Sequence, residues 1–416
     1  MEIKRDGYLG KLTGKEKNGL IKVVTGVRRC GKSYLLFNLF HDHLVANGVD
    51  ESHIIEVALD DRTNKELRDP DNMLKYVKER IKDKQTYYVI LDEVQLLGEF
   101  EDVLNSFLHI RNADVYVTGS NSKFLSSDVV TEFRGRGDEI RVYPLSFREY
   151  TSVYDGTVEE AWDDYFNYGG LPLVLSRRTP EEKVEYLQTL FQKVYLSDIV
   201  DRHKIRNRDE LDELVDVLSS AVGSLTNPSK LARTFKSVKN KVISDKTLNA
   251  YIGYLTDAFL ISKAVRFDIK GKKYIGSPAK YYFEDVGLRN ARLNFRQTEE
   301  NHIMENIVYN ELRIRGYHVD VGVVQHYEAS GGKRGKIQTE VDFVATKGSR
   351  KYYLQSVFAM GNPDKVRQEE RPLASIGDSF KKIIVVRENI KARRNEDGIM
   401  TIGVSHFLLD EDSLDF

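Results

Sequence analysis

Eight residues, Gly26-Val27-Arg28-Arg29-Cys30-Gly31-Lys32-Ser33, match the pattern G-x-x-x-x-G-K-[ST] in full. An apolar run, Leu20–Thr25 (LIKVVT), precedes them. A segment with apolar residues at helical spacing (Leu35, Leu36, Leu39, Phe40, Leu44) follows as far as Ala46. This order predicts a buried strand, a tight loop and a helix over 32–46 that Gly48 stops. The chemistry such a loop suits is phosphate binding. Glycines let successive backbone N–H groups converge on an anion, and the helix N-terminus adds its dipole. Lys32 brings a mobile positive charge, and the Ser33 hydroxyl can ligate Mg2+. The candidate phosphate-binding residues are therefore Gly26 through Ser33, with Tyr34 next to them. The side chains of Arg28 and Arg29 admit two readings, phosphate contact or structural pairs directed away from it. Cys30, the single cysteine, stands at a helix N-terminus, which lowers a thiol pKa. Redox sensitivity is one reading, and a tolerated variable position of the loop is the preferred one.

Further apolar runs at His53–Leu59, Tyr87–Leu91 and Val115–Thr118 alternate with amphipathic helices at Asp71–Lys84 and Phe100–Ile110. That alternation predicts a mostly parallel sheet covered by helices. The strand Val89-Ile90-Leu91 ends in Asp92-Glu93, sixty residues beyond Lys32. Asp92 suits Mg2+ and Glu93 suits a general base that polarises an attacking water; the bland alternative is a strand ending in solvated acids. After Thr118 come Gly119-Ser120-Asn121. Asn121 is the first choice, and Ser120 the second, for a polar residue that orients the water or touches a γ phosphate. Arg134 and Arg136, flanked by glycines in FRGRG, suit a projecting loop. They could complete the site across a subunit interface or pair with surface carboxylates. No guanine-reading Asn-Lys-x-Asp occurs, so ATP with Mg2+ is the expected ligand.

Composition bounds the partners. Lys plus Arg number 63 against 64 Asp plus Glu, a net charge of −1, so affinity for nucleic acid or anionic lipid requires a local patch. A lone cysteine suits a reducing compartment, no apolar run nears the ~20 residues of a membrane span, and the first residues lack a signal-peptide core. A cytoplasmic protein without membrane contact is expected. The length of 416 residues, 41% apolar, predicts more than one domain: an α/β phosphate-binding core over 1–150, a helical region over 151–225, a basic region over 226–285 and a second small α/β domain over 286–416.

The segments VTGVRRCGKS, VILDEVQ, VTGSNSKFLSS, FRGRGDEIRVYPLSFREY, YGGLP, YLSDIVDRHKI, KYYFEDVGLRNA, MENIVYNEL and EVDFVATKG together resemble the prokaryotic P-loop ATPases of AAA type that carry a characteristic carboxy-terminal domain of uncharacterised function. The resemblance covers nearly the whole chain. It implies an AAA-like core on a P-loop NTPase parallel sheet, a helical and winged-helix region, and a tail similar to the restriction-endonuclease-like fold. It also implies that Gly170-Leu171-Pro172 is a Gly-x-Pro element that senses nucleotide, and it makes a homo-oligomer plausible.

Between Pro228 and Lys280, twelve Lys or Arg face three Asp, a local net of +9. Asn227-Pro228-Ser229 can cap a helix through Lys236, and Ser244-Asp245 can cap a second. Ile261–Phe267 and Lys272–Ile275 then make a basic hairpin. Helix, turn, helix and hairpin describe a winged helix, which suits DNA through its second helix and its wing; a lid or protein contact is the alternative. In the tail, the implied nuclease site would use a helix Glu (Glu305), a strand Asp (Asp342) and a Glu-x-Lys on the next strand. Here Gln355 and Val357 stand in the last two places, so the tail reads as catalytically crippled, with Lys351 a possible substitute by proximity. The expected function is an Mg2+-dependent ATPase; the alternatives are a slow nucleotide-gated switch or scaffold acting through a protein partner, and an ATP-regulated nuclease.

Overall fold

The computed structural model describes residues 2–119, 136–238, 242–296, 299–330, 333–361 and 363–415. The chain divides into two compact units: Met1–Pro144 with Asp257–Phe259, and Leu145–Thr256 with Leu260–Phe416.

In the first unit, helix α1 (Asp6–Thr13) precedes β1 (Ile21–Thr25), and a continuous helix α2 (32–46) follows the loop. Then come β2 (Ile54–Ala58), α3 (Pro70–Arg80), β3 (Tyr87–Asp92), α4 (Phe100–Phe107), β4 (Ala113–Thr118) and β5 (Gly137–Arg141). The strands form one sheet in the order β2-β3-β4-β1-β5, and every pairing is parallel. Local chemistry sets the elements. All six residues of β3 are buried, as an apolar run covered on both faces requires. Asp69 caps α3 by accepting the Asn72 N–H at 3.0 Å, with Pro70 in the first turn. Leu104 and Phe107 of α4 are fully buried against the sheet, each contributing about 1.5–3 kcal/mol. Lys22 sits at 0% exposure within β1 because its ammonium pairs with Asp114 of β4, which also accepts the Tyr116 hydroxyl at 2.8 Å. Both α3 and α4 end earlier than their apolar periodicity suggests, and β5 was not expected at all.

The second unit begins with helices α5 (Phe147–Thr151), α6 (Val158–Tyr168), α7 (180–203), α8 (Arg208–Ser220), α9 (Pro228–Val238) and α10 (Asp245–Asp257). The hairpin β6 (Ile261–Asp268) and β7 (Lys273–Phe283) leads into α11 (Val286–Arg292) and α12 (Glu300–Ile314). The remainder is β8 (His318–Ser330), β9 (Lys333–Lys347), β10 (Arg350–Val357), α13 (Pro363–Ala374), β11 (Lys381–Val386), β12 (Arg393–Arg394), β13 (Met400–Gly403) and α14 (Val404–Leu409). Asn227 accepts the Lys230 N–H at 2.7 Å and Ser244 accepts that of Thr247 at 3.0 Å, so both caps form as read. One mixed sheet runs in the order β12-β13-β11-β10-β9-β8-β6-β7. It crosses the boundary read at 285, because β6 pairs in parallel with β8 (Arg266 with Val321, Asp268 with Val323). The hairpin is thus the edge of the sheet that holds the tail strands.

No helix among the described residues is long and apolar enough to cross a membrane.

Candidate functional site

The loop after β1 turns through three residues in the left-handed region: Gly26 (φ 141°), Arg29 (φ 65°) and Gly31 (φ 98°). Gly26 is required on steric grounds as well. A Cβ there would stand 2.0 Å from the Val142 carbonyl oxygen. Lys32 is 5% exposed, and its ammonium donates to the carbonyl oxygens of Gly26 (3.0 Å) and Val27 (3.2 Å). Arg5, which motif reading missed, braces the loop from beneath: its guanidinium donates to the carbonyls of Cys30 (3.0 Å) and Tyr143 (2.9 Å). Val27 is buried, Arg28 is half-buried and Arg29 exposed, and Tyr34 is 37% exposed. Cys30 is fully buried, its thiol donating to the Val142 carbonyl at 3.4 Å. Burial pushes that thiol up, against the nearby charges of Lys32 and Arg5. The helix N-terminus therefore does not produce the reactive thiolate that a redox role needs.

Asp92 and Glu93 stand at the same sheet edge, since β1, β3 and β4 all run parallel. Asp92 is 4% exposed. Burial raises its carboxyl above the ordinary range, while hydrogen bonds from the Thr118 and Ser33 hydroxyls pull it back. Ser33 and Asp92 are thus hydrogen-bonded neighbours. Glu93 adopts the left-handed region (φ 52°), its N–H donates to Thr118 Oγ1 at 3.0 Å, and its carboxylate accepts from the Gln95 amide. Thr118, fully buried at the tip of β4, therefore holds the Asp92 carboxylate and the Glu93 backbone N–H. A threonine ending a strand reads as a strand former, and only the β3–β4 register exposes its second role.

Asn121, Ser120 and Arg134 lie outside the described residues. Arg136 is exposed, but its carbonyl accepts the Ile21 N–H at 3.0 Å. That contact fixes it at the start of β1, about 15 Å of strand away from the loop. It is not brought to Lys32, Ser33 or Asp92 within the unit.

In the second unit, YGGLP meets EDVGLRNA. Asp285 is 2% exposed, accepts the Gly170 N–H at 2.8 Å, and caps α11 through the Leu288 N–H at 3.1 Å. Burial pushes its carboxyl up to about 6, against the backbone N–H groups of Gly170, Leu288, Gly287 and Leu171. A Cβ at Gly169 would stand 2.2 Å from this carboxylate. The GGLP turn is thereby tied to α11 and is more than a surface turn.

The tail acids also converge. Glu305 of α12 and Asp342 of β9 are each 7% exposed. The lysine at their centre is Lys280 of β7. Lys351 instead lies over the Phe380 ring at 4.7 Å. Of the twelve basic residues in the middle region, Lys280 is 3% exposed and so leaves the basic surface. Lys230, Arg233, Lys236, Lys246, Lys263, Lys270, Lys272 and Lys273 are exposed.

Residues 18–151 match the AAA domain family, and residues 159–299 match a domain of unknown function, DUF8612. An uncharacterized protein of Haemophilus influenzae is 31% identical over 413 residues, covering 98% of each chain. The uncharacterized protein MJ1544 of Methanocaldococcus jannaschii is 28% identical over 401 residues, covering 92% of this chain and 84% of that one. Among solved structures, the Aeropyrum pernix Orc1 protein in complex with DNA shares 11% identity at a TM-score of 0.28, covering 73% of this chain and 94% of its own. Cdc6p from Pyrobaculum aerophilum shares 12% at 0.29 with the same coverage. The parallel sheet with its phosphate loop is a P-loop NTPase fold, and the AAA match falls on it. With 31% identity across 98% of both chains, the protein belongs to the same family as its Haemophilus influenzae relative, a family whose amino-terminal part is an AAA domain.

Proposed function

We propose that the chain binds ATP at residues 26–34 and hydrolyses it with Mg2+. The observation that carries this reading is the convergence of Lys32, Ser33, Asp92, Glu93 and Thr118 at one sheet edge. The loop amides and the Lys32 ammonium bind the β and γ phosphates; two backbone carbonyls now holding that ammonium are neutral acceptors that a phosphate displaces. Ser33 and Asp92 would hold Mg2+, which would supply neutralisation of the charge developing on the phosphates. Glu93 takes a proton from the attacking water. Thr118 fixes the backbone that aims Glu93, and Asn121 orients the water. Arg134 or Arg136 supplies a cation across a subunit interface.

The test is steady-state ATP hydrolysis by the full chain. Glu93→Gln should keep nucleotide affinity and lower turnover by about 10²–10⁴-fold, the range for a lost general base. Normal turnover by that variant would remove Glu93 from the mechanism. The exposed lysines of α9, α10 and the β6–β7 hairpin support DNA as an effector, so the assay is run with and without single- and double-stranded DNA. A several-fold stimulation supports coupling of the basic region to the loop. A turnover well below ~1 per minute that ignores DNA supports the nucleotide-gated switch, since unassisted GTPases run near 0.02 per minute.

A further inference from the structure

The fold that the tail resembles would hold a divalent cation between Glu305 and Asp342. In this chain an ammonium group stands there. Lys280 Nζ lies 2.8 Å from Glu305 Oε1, 2.7 Å from Glu340 Oε1 and 3.4 Å from Asp342 Oδ1. An ammonium has three N–H donors, and each one faces a carboxylate. Two of these carboxylates accept further donors. The Tyr282 hydroxyl donates to Glu305 Oε1 at 2.6 Å, and the Ser356 N–H donates to Asp342 Oδ2 at 2.9 Å. His302 Nδ1 lies 3.7 Å from Glu305 Oε2.

The next strand does not offer the missing ligand. The Gln355 side-chain carbonyl accepts the Asp342 N–H at 3.3 Å, and its amide donates to Glu369 at 3.4 Å. Val357 is buried in the core beside Tyr353 and Ile384. Mg2+ demands near-octahedral oxygens at about 2.0–2.1 Å. These oxygens are instead turned to N–H and O–H donors, and a dication among them would sit against a fixed positive charge. Burial works against the ammonium, but Glu305, Asp342 and Glu340 together raise its pKa above the ordinary lysine value, so it stays charged. The residues therefore do not fit a metal.

We propose that Lys280 is the resident cation of the tail. Its ammonium takes the place of a divalent metal between Glu305, Glu340 and Asp342, and it locks the β6–β7 hairpin to α12 and β9 as a closed centre. The lysine comes from a strand that precedes the tail, so the lock joins the basic hairpin to the carboxylates through charge as well as through the β6–β8 ladder. This inference does not rest on the reading of the phosphate loop.

The test is Mn2+ binding by the nucleotide-free full-length chain, followed by the loss of the free Mn2+ electron-paramagnetic-resonance signal. Wild type and Glu305→Gln should bind alike, because no tail site exists to lose. Lys280→Met should gain one Mn2+ per chain, and adding Glu305→Gln to it should abolish that gain. Wild-type binding that Glu305→Gln reduces would overturn the proposal. So would a Lys280→Met protein that melts cooperatively and gains nothing. Should Lys280→Met fail to fold, Lys280→Gln replaces it, and the wild-type against Glu305→Gln comparison decides on its own.

Discussion

Lys32 and Lys280 are both withdrawn from water, at 5% and 3% exposure, yet their ammonium groups are held in opposite ways. Lys32 rests on two neutral backbone carbonyls. Lys280 rests on three carboxylates. A charge balanced only by dipoles is available to an anionic ligand, because a phosphate offers it a stronger, charge-assisted partner. A charge already surrounded by carboxylates is spoken for, and removing it leaves uncompensated buried anions. The same residue type is thus proposed as a binding group in one unit and as a structural lock in the other. The neighbours decide which.

The sharpest way to break this comparison is to remove each charge in turn. Lys280→Met should destabilise the fold by about 3–5 kcal/mol, the cost of leaving one side of a buried ion pair unmatched. It should leave nucleotide affinity unchanged when measured on folded protein. Lys32→Met should do the reverse. Its lost hydrogen bonds to carbonyls amount to about 1–2 kcal/mol, while nucleotide affinity falls by on the order of 100-fold or more as two charge-assisted contacts vanish. Chemical denaturation and nucleotide titration on both variants read the two effects separately. Equal stability losses would mean that Lys32 is also a structural lysine.

That asymmetry also marks what the sequence could tell and what it could not. The loop, β1, β3 and β4 were legible because each is a contiguous pattern: a fixed glycine spacing or an unbroken apolar run. The neighbouring Ser33 and Asp92, proposed here to hold Mg2+, lie on those patterns. Thr118 was not legible, since its grip on Asp92 and Glu93 depends on strand register. β5, with sequence GDEIR and only Ile140 buried, pairs on one side as the sheet edge, so it carries no apolar run to read. Arg136 stands at that strand's start, paired through its carbonyl with Ile21, so it does not reach the loop of its own unit. Lys280 was counted with a basic surface because its partners Glu305 and Asp342 are 25 and 62 residues away. Composition sees charge, but only tertiary structure shows which charges cancel. The elements of α9, α10 and the hairpin were anticipated, whereas the attachment of that hairpin to the tail sheet through β6 and β8 required the fold.

A smaller effect sharpens the account of the tail. Burial pushes the Asp342 carboxyl up to about 7, with the charge of Glu305 adding to it and Lys280 opposing. A carboxyl whose pKa is higher in the folded state stabilises the fold fully below its unfolded value, near 3.8, and that contribution is lost as pH rises through about 7. Glu305 has the opposite sign. Burial opposes its ionisation, but Lys280, His302 and Tyr282 hold it below the ordinary 4.5, so its contribution is present above that value and lost as pH falls through its lowered pKa. The two windows lie on different sides of about pH 4. Asp342→Asn should therefore flatten the melting-temperature profile between pH 4 and 7 and leave the acid limb in place. Thermal melts of wild type and variant across that range check it, and an unchanged slope would mean that Lys280 keeps Asp342 ionised throughout.

The smallest effect concerns Cys30. Its thiol is buried beneath the loop, points at the Val142 carbonyl and is pushed up in pKa by that burial. Alkylation needs both thiolate and access, and the closed loop denies both. Iodoacetamide should therefore label native protein slowly at pH 8 and label urea-unfolded protein fast, with ATP slowing the native reaction further. Rapid native labelling that ATP leaves untouched would mean that the loop opens without regard to the nucleotide, and that Lys32 is held as loosely as its neutral partners suggest. Slow labelling that ATP suppresses would tie loop closure to phosphate. It would also set that responsive site against the Lys280 cluster, whose three carboxylates need no ligand to stay shut.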